Sequence, residues 1–211
     1  MSLIIKLENG ASLSDEQVKQ VAAAVKGCKI LAFPTDTVYG LGSTGLVKAA
    51  ARRMYQIKER PNLKPFPIFV HSAEAAKKWA EWTPGAEALA KKFWPGSVTL
   101  VMRPTAEGRL LTFGEYQTVA FRVPNHPVLL KLLEASGVPW VQTSANRSGQ
   151  PSLVDGAEVV KSFDGIADVI IDAGKAPGIE STIVDVTGAV PRVMREGAVK
   201  AADILAAGAL S

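Results

Sequence analysis

The sequence predicts an α/β protein built on one open mixed sheet with helices packed against it. Short apolar runs typical of buried strands alternate with longer stretches in which apolar residues recur at helical spacing. Toward the C-terminus the predicted strands follow one another closely, which favours a mixed sheet over a wholly parallel one. With 211 residues, 47% of them apolar, the chain can bury one sizeable core, and we expect a single domain over residues 1–211.

The first predicted helix has the clearest start and stop signals. Ser14 stands three residues before Gln17, which is the spacing of a capping box, and Gly27 supplies a C-terminal stop. An apolar strand over residues 29–33 comes next. Residues 34–45 are predicted to be a loop, because they mix threonines, an aspartate and three glycines. A second helix over residues 47–58 carries basic residues along its length.

Proline, glycine and apolar spacing divide the remainder of the chain. Residues 83–85 separate two helices, and Trp94-Pro95-Gly96 ends the second of them. Further helices are predicted at 72–82, 84–93, 127–135, 155–163 and 200–207, and further strands at 67–70, 98–102, 116–123, 140–143, 167–172, 181–187 and 192–195. Because side chains alternate along a strand, Thr118, Ala120 and Arg122 are expected to share one face.

Composition narrows the classes of protein and of site. The apolar runs stay well below the roughly 20 residues of a membrane span, and the N-terminus resembles neither a secretory signal nor a transit peptide. We therefore expect a cytoplasmic protein with no membrane contact. The net charge of +4 favours anionic partners, but the basic residues form no long run. Cys28 is the single cysteine and is expected to be a packed thiol.

Four polar clusters stand at the ends of apolar strands, where open α/β sheets keep their ligands. The first covers residues 35–42, in which Gly40 and Gly42, with Gly45 just beyond, allow close approach of the backbone or positive φ. A glycine-bearing turn is also commonly structural. Neither the dinucleotide-binding G-x-G-x-x-G motif nor a P-loop is present.

The second cluster places Lys58, Arg60 and Lys64 around the end of a helix and in the loop beyond it. Basic residues at a helix C-terminus often complement the helix dipole. Arg60 and Lys64 continue past the helix, where this explanation weakens. Phosphate binding is the alternative, because arginine offers a bidentate fork and lysine a point charge.

The third and fourth clusters are rich in hydroxyl groups. Residues 143–152 combine hydroxyls and amides that can bond phosphate or ribose, although any turn could have this composition. Residues 180–182 precede a strand rather than a helix, so their hydroxyls have no helix to cap, and Arg195 follows the next strand. His71 and His126 stand in no nucleophile motif. Sites made of hydroxyls and cations suit nucleotidyl transfer, which depends on positioning and charge neutralisation.

Taken together and in this order, PTDTVYGLG, KERPNLKPF, TVAFRVP with TSANRSGQPS, and ESTIVDVT followed by REG resemble the YrdC-like threonylcarbamoyl-AMP synthases. The motifs span residues 34–197. The resemblance implies a YrdC-like open twisted mixed sheet flanked by helices, with a concave basic cleft, in the short single-domain form. It implies an L-threonylcarbamoyladenylate synthase, a nucleotidyltransferase that uses L-threonine, bicarbonate and ATP with Mg²⁺. The product would serve N6-threonylcarbamoyladenosine synthesis on tRNA, through a separate transferase complex.

The resemblance also implies roles for individual residues. Lys58 and Arg60 would be catalytic, and the metal ligands are left unassigned. The residues implied on the threonine side are Thr35, Arg122, Ser181 and Thr182. The residues implied at ATP are Lys58, Arg60, Lys64, Thr118, Ser144, Asn146, Ser152 and Arg195. Phe69 stands where some family members have a histidine, and His71, two residues on, is expected to face the same side if the strand is regular.

Two alternatives stay open from the residues alone. The positive charge permits a non-catalytic RNA-binding module, or weak RNA binding beside the enzyme activity, although aromatic stacking residues are sparse. A paralogue of the same fold that acts on another small molecule is the second alternative. Lys58, Arg60, Ser144 and Asn146 argue against loss of the nucleotide site, but they do not identify the acceptor.

Overall fold

Strands and helices alternate through most of the chain in the computed structural model, which describes residues 1–8, 11–59, 65–112 and 116–208. The strands are β1 Leu3–Lys6, β2 Leu31–Phe33, β3 Gly40–Thr44, β4 Ile68–Phe69, β5 Val98–Met102, β6 Val119–Arg122, β7 Trp140–Ser144, β8 Val169–Asp172, β9 Thr182–Asp185 and β10 Arg192–Arg195. The helices are α1 Asp15–Lys26, α2 Lys48–Ile57, α3 Ala73–Lys77, α4 Pro84–Phe93, α5 Pro127–Ser136, α6 Gly156–Phe163 and α7 Ala201–Gly208, with a 3₁₀ helix at Glu107–Leu111.

These strands form one mixed sheet of ten strands in the order β1-β8-β2-β3-β7-β4-β6-β5-β9-β10. The pairs β1/β8, β2/β8, β4/β6 and β5/β9 are parallel. The pairs β2/β3, β3/β7, β4/β7, β5/β6 and β9/β10 are antiparallel. The mixed α/β sheet expected from the sequence is therefore confirmed.

Apolar side chains cover both faces of the sheet. Leu31 and Phe33 of β2 join a cluster with α1 and α5, whereas Ile30 and Ala32 join the larger cluster on the opposite face. This division follows from the alternation of side chains along a strand. Helices α2, α4, α6 and α7 pack over that second face. Because apolar side chains cover both faces of the central strands, a polar site can form mainly at the strand ends.

The signals that predicted the helix ends are present in the structure. Ser14 caps α1 through its side chain, which accepts a hydrogen bond from the backbone N–H of Gln17, and the Gln17 side chain accepts one from the Ser14 N–H. Gly27 is the C-cap of this helix. Gly137 ends α5 in the left-handed region, with φ of 63°, where a residue with a side chain is strained.

Part of the predicted loop over residues 34–45 is a strand instead. Residues 40–44 form β3, which pairs with β2 on one side and β7 on the other. A Cβ added to Gly40 or Gly42 would lie 2.8 Å from the ring of Phe33, and neither glycine has positive φ. These glycines therefore let β3 pack against a buried aromatic ring, a role that turn chemistry does not predict.

Two further differences come from contacts that are distant in sequence. β1 was not predicted, because a four-residue strand with only three apolar residues gains its pairing only from β8, far along the chain. The helix expected over residues 72–82 ends near Lys77, and Ala80 pairs instead in an isolated bridge with Pro104. A contact distant in sequence decides the structure at both places, and at Ala80 it outweighs local helix propensity.

Candidate functional site

Polar side chains from all four sequence clusters meet in one cavity of about 330 Å³ at the strand ends. Seven of the predicted site residues line it: Thr35, Lys58, Arg122, Ser144, Asn146, Ser181 and Arg195. Additional lining comes from residues that were not singled out as site residues: Thr37, Val38, Tyr39, Pro65, Pro67, Phe69, Gln142, Thr143, Ser148, Gly149, Glu180 and Ile183. The convergence expected from strand-end logic is confirmed for these described residues.

Backbone hydrogen bonds fix the segments that carry these side chains. The Tyr39 N–H donates to the Leu153 carbonyl at 3.0 Å, and the Ala145 N–H donates to the Tyr39 carbonyl at 2.7 Å. The loop after β7 is therefore attached to the beginning of β3. The Gly178 N–H donates to the Thr37 carbonyl at 2.7 Å and holds the segment before β9 beside the same region.

Arg122, at the end of β6, is the most deeply buried cation of the described lining, with 3% of its surface exposed. Its Nε donates to the Gly96 carbonyl at 2.9 Å, its Nη1 to Thr37 Oγ1 at 3.1 Å, and its Nη2 to Asp36 Oδ1 at 2.7 Å. Burial lowers the pKa of the Arg122 guanidinium, and the Asp36 carboxylate opposes that shift. The group stays charged, because arginine titrates so far above neutral pH.

The three bonds of Arg122 leave part of its donor capacity unused. A guanidinium has five N–H groups, so among the described partners one N–H on each terminal nitrogen is not engaged. Guanidinium N–H groups form strong charge-assisted hydrogen bonds with carboxylates. Because Arg122 lines the cavity, it offers a fixed, desolvated guanidinium fork with two N–H groups to spare to an anionic group there.

Thr35 and Thr37 form a hydroxyl pair next to this fork. Their Oγ1 atoms lie 2.8 Å apart, and Thr35 Oγ1 also lies 2.7 Å from the Val38 carbonyl. The Thr37 N–H donates to Thr35 Oγ1 at 3.0 Å. Both side chains are buried, so these bonds fix their rotamers. The buried end of the cavity thus combines two oriented hydroxyls with one cation.

Lys58 organises a second polar group with the loop after β7. Although it stands at the C-cap of α2, it is 4% exposed, and its Nζ donates to the Ser144 carbonyl at 2.8 Å and to Asn146 Oδ1. Ser144 Oγ donates to the same Asn146 oxygen at 2.7 Å. The helix dipole alone does not require such burial. The arrangement favours a role for Lys58 in the cavity over an exposed surface charge.

A third group lies at the more open side of the cavity. Glu180 accepts from Ser152 Oγ at 2.9 Å and from Arg195 Nη1 at 2.5 Å, while Arg195 Nη2 donates to the Ser181 carbonyl at 2.8 Å. The Arg195 and Glu180 side chains are 44% and 42% exposed. Glu180 is the one carboxylate among the described lining residues, and sequence reasoning passed over it.

Some predicted site residues do not line the cavity. Thr118 precedes β6 and is outside the lining, and Ser152 reaches it only through Glu180. Thr182 is fully buried, and its Oγ1 lies 2.5 Å from the Val199 carbonyl while accepting the N–H groups of Gly197 and Val199. These contacts join β9 to the segment after β10. Arg60 and Lys64 lie outside the described residues.

The regular strand on which the expectation for His71 depends is not present. β4 ends at Phe69, so the regular alternation that would turn His71 to the same side does not continue, and His71 is exposed and absent from the lining. Phe69 itself lines the cavity, with its ring centroid 5.5 Å from the Arg122 guanidinium carbon. The cavity therefore has an aromatic ring beside its buried cation.

The charges of the lining are largely compensated within the described residues. Asp36 pairs with Arg122 and Glu180 pairs with Arg195. The concave basic cleft implied by the resemblance therefore stays a prediction. Across the described ranges there is no group of three or more His, Cys, Asp or Glu side chains placed to hold a metal ion. Over the same ranges, the helices include none long and apolar enough to span a membrane.

Comparison with known proteins adds independent information. The family model of Sua5, YciO and YrdC, described as "Telomere recombination", matches residues 23–197. A Pyrococcus abyssi protein named threonylcarbamoyl-AMP synthase is 39% identical over 201 residues, which are 93% of this chain and 58% of that protein. A Bacillus subtilis protein of the same name is 37% identical over 194 residues, 89% of this chain and 55% of that protein. The chain thus spans little more than half the length of these relatives.

Solved structures support the same relationship. The crystal structure of P. abyssi Sua5 complexed with L-threonine matches with a TM-score of 0.88 and 36% identity, covering 98% of this chain and 60% of that one. The crystal structure of E. coli YciO matches with a TM-score of 0.84 and 27% identity, covering 95% and 98% of the two chains. The resemblance drawn from the four motifs is confirmed: the chain belongs to the Sua5/YciO/YrdC family.

Proposed function

We propose that this chain is an L-threonylcarbamoyladenylate synthase, which forms threonylcarbamoyl-adenylate and pyrophosphate from L-threonine, bicarbonate and ATP. The observation that carries the proposal is the cavity, in which all four motifs of the resemblance meet. The names of the P. abyssi and B. subtilis relatives point to the same activity. The product would be consumed by a separate transferase that modifies tRNA, and we propose a cytoplasmic location.

The buried end of the cavity suits the amino acid. The N–H groups of Arg122 that have no described partner can donate to the α-carboxylate, and the hydroxyl pair of Thr35 and Thr37 lies beside the guanidinium. Ser181, whose Oγ lies 3.0 Å from Thr99 Oγ1, adds another hydroxyl group to the same lining. The L-threonine complex of P. abyssi Sua5 supports a threonine site in this family.

The remaining cations suit the nucleotide. Lys58 is held near Ser144 and Asn146 on one side of the cavity, and Arg195 lies on the other with Glu180. Phosphate groups of ATP need several fixed positive charges, which these two side chains supply. Arg60 and Lys64 stay predictions for this role, as do Thr118 and Ser152.

Mg²⁺ is proposed to enter with ATP. The described lining has one carboxylate, and no described cluster could enclose a metal by itself. Mg²⁺ typically keeps waters and takes substrate phosphate oxygens as ligands, so phosphates and water would hold it here. When bound, it neutralises phosphate charge and polarises the phosphoryl oxygens.

The reaction then needs positioning more than covalent catalysis. The neutral amino group of threonine bonds to the carbon of bicarbonate, a C–O bond of bicarbonate breaks, and its hydroxyl leaves as water with a proton lost by the amine. The resulting carbamate attacks the α-phosphorus through a carbamate oxygen. The bond between the α-phosphorus and the bridging oxygen breaks, and pyrophosphate leaves with that electron pair. Arg122 orients the amino acid, while Lys58 and Arg195 offset the negative charge of the phosphates.

Pyrophosphate release from Mg²⁺–ATP and bicarbonate tests the proposal. We expect release with L-threonine and much less with L-serine, L-valine or no amino acid. Omitting bicarbonate should abolish the threonine-dependent part. Release without dependence on threonine, or ATP binding with no release, would contradict the proposal and favour a family member acting on another acceptor. Tight tRNA binding without ATP binding would instead favour the RNA-binding module.

A further inference from the structure

We propose that Asp36 is a positioning residue for amino-acid binding, which acts by fixing the Arg122 guanidinium from behind the cavity. This inference rests on the proposed function, because it takes the α-carboxylate of L-threonine as the ligand of Arg122. Asp36 belongs to the first polar cluster of the sequence, yet neither the motif resemblance nor strand-end logic gave it a role. Its contacts supply one.

Asp36 is held on both of its oxygens. Oδ1 accepts from Arg122 Nη2 at 2.7 Å, and Oδ2 accepts from Ser97 Oγ at 3.3 Å. The side chain is 12% exposed and is not part of the cavity lining. The carboxylate therefore contacts the guanidinium from outside the cavity lining, of which Arg122 is a part.

The ion pair supplies the counter-charge that the buried guanidinium requires. A guanidinium that is 3% exposed has lost most of its hydration, and an unpaired charge in that position is strongly destabilising. Asp36 supplies a counter-charge whether or not a ligand is present. Arg122 can therefore stay buried and ordered, and its two remaining N–H groups are available to a carboxylate.

Three contacts together define the guanidinium plane. Besides Asp36, the Gly96 carbonyl accepts from Nε and Thr37 Oγ1 accepts from Nη1, so Arg122 is held by three separate segments. Asp36 is the only charged acceptor among them. Since a charge-assisted hydrogen bond depends on the direction of the donor N–H, loss of this acceptor should weaken carboxylate binding in particular.

Arg195 provides an internal contrast. Its partner Glu180 lines the cavity and is 42% exposed, so that carboxylate stands where a ligand must approach. Asp36 and Glu180 therefore act on their arginines from different places. Of these two pairs, the Asp36 pair is the buried one, and its carboxylate lies outside the lining.

Titration calorimetry with Asp36→Asn tests the proposal, using L-threonine and L-threonine amide as ligands. Asparagine keeps the size of the side chain but removes its charge. We expect affinity for L-threonine to fall about tenfold, as for loss of a well-aligned charge-assisted contact. Affinity for the amide, which has no carboxylate, should change less than about twofold. In the activity assay KM for L-threonine should rise while kcat and ATP affinity stay nearly constant.

Asp185→Asn is the matched control, because Asp185 pairs with Arg192 at 3.1 Å on the exposed edge of the sheet. It should leave both affinities unchanged. In an Arg122→Gln background, Asp36→Asn should add no further loss for L-threonine. If Asp36→Asn proves too unstable to titrate, Ser97→Ala removes only the hydroxyl that bonds Asp36 and should give a smaller loss with the same ligand preference.

An equal loss for both ligands, or no loss for either, would overturn the proposal. A loss that persists in the Arg122→Gln background would do so as well, because the effect would not pass through Arg122. Failure of the proposed function looks different: the unsubstituted protein would then not bind L-threonine at all.

Discussion

At the scale of single residues, the two carboxylates beside the cavity arginines should respond differently to substitution. Glu180 forms an ion pair with Arg195 in the cavity lining, where nucleotide phosphates would compete with the carboxylate for the arginine. We predict that Glu180→Gln tightens nucleotide binding about two- to fivefold, the gain expected when a partly exposed ion pair no longer competes. Fluorescence titration with ATP, with and without Mg²⁺, measures this change.

Glu196→Gln serves as the control for Glu180→Gln. Glu196 forms an exposed ion pair with Lys200 at 3.2 Å and does not line the cavity. Its substitution should leave ATP affinity unchanged. Weaker ATP binding in Glu180→Gln would show that the carboxylate supports the nucleotide rather than competing with it.

His126 should make stability depend on pH. Its Nδ1 is buried with no hydrogen-bond partner in the described ranges, and burial lowers the pKa of the imidazole from its ordinary 6.5, while the nearby Asp36 carboxylate opposes the shift. The unfolded chain therefore binds a proton at a higher pH than the folded chain does. Stability from this group is complete above 6.5 and is lost as the pH falls through the folded pKa.

Urea unfolding of His126→Gln at several pH values checks this expectation. The variant should lose less free energy of unfolding than the unsubstituted protein between about pH 7 and about pH 5. His71→Gln is the control, because His71 is exposed. Identical pH profiles for His126→Gln and the unsubstituted protein would contradict the assignment.

At the scale of elements, β3 depends on the absence of side chains at its glycines. A Cβ on Gly42 would lie 2.8 Å from the Phe33 ring and 2.9 Å from the Val141 carbonyl oxygen, and Phe33 is fully buried. We predict that Gly42→Ala destabilises the protein by about 1–3 kcal/mol, as overpacked cores typically do. Chemical denaturation measures this directly.

Gly188→Ala is the matched substitution, because an added Cβ there meets nothing within 4 Å and Gly188 has no positive φ. It should change stability by less than about 0.5 kcal/mol. A Gly42→Ala protein as stable as the Gly188→Ala protein would mean that β3 can shift away from Phe33.

The elements also show how far sequence reasoning reaches. Helix α1 was predicted with its cap and its stop because both signals are local: Ser14 contacts Gln17, and Gly27 follows directly. β3 was not predicted, because its glycines are required by the ring of Phe33 on the neighbouring strand β2, a contact that the local sequence does not reveal. For the same reason Lys58 was recognised as a candidate from its position, whereas its contacts with Ser144 and Asn146 required the fold.

The site residues divide in a similar way. Hydroxyl and basic residues at strand ends, such as Thr35, Arg122 and Ser144, could be found from composition and position. Glu180 and Asp36 were overlooked because acidic residues at turns have many ordinary explanations. What distinguishes them is the arginine each one contacts, and no local pattern encodes those pairs.

At the scale of the whole molecule, one sheet carries both apolar clusters. Adjacent residues of β2 project into opposite clusters, so neither can be lost without disturbing the other. We predict one cooperative thermal transition, in keeping with the expected single domain. Differential scanning calorimetry tests this, and two separated transitions would contradict it.

Ligands should shift that transition upward if they bind only the folded chain. We expect L-threonine and ATP each to raise the melting temperature in proportion to the logarithm of their concentration, once that concentration exceeds Kd. The shift with L-threonine should shrink in Arg122→Gln, while the shift with ATP should not. L-Valine at the same concentration is the control ligand.

The sheet order has a consequence for how the protein is made. Thr35 follows β2, near the beginning of the chain, whereas Glu180 and Arg195 flank the last strands, and all three line one cavity. A growing chain emerging from the ribosome would therefore lack the far wall of its cavity until β9 and β10 had been synthesised and paired. Such long-range closure is slow compared with helix formation. Substrate binding by the nascent protein would thus require that β9 and β10 have already paired.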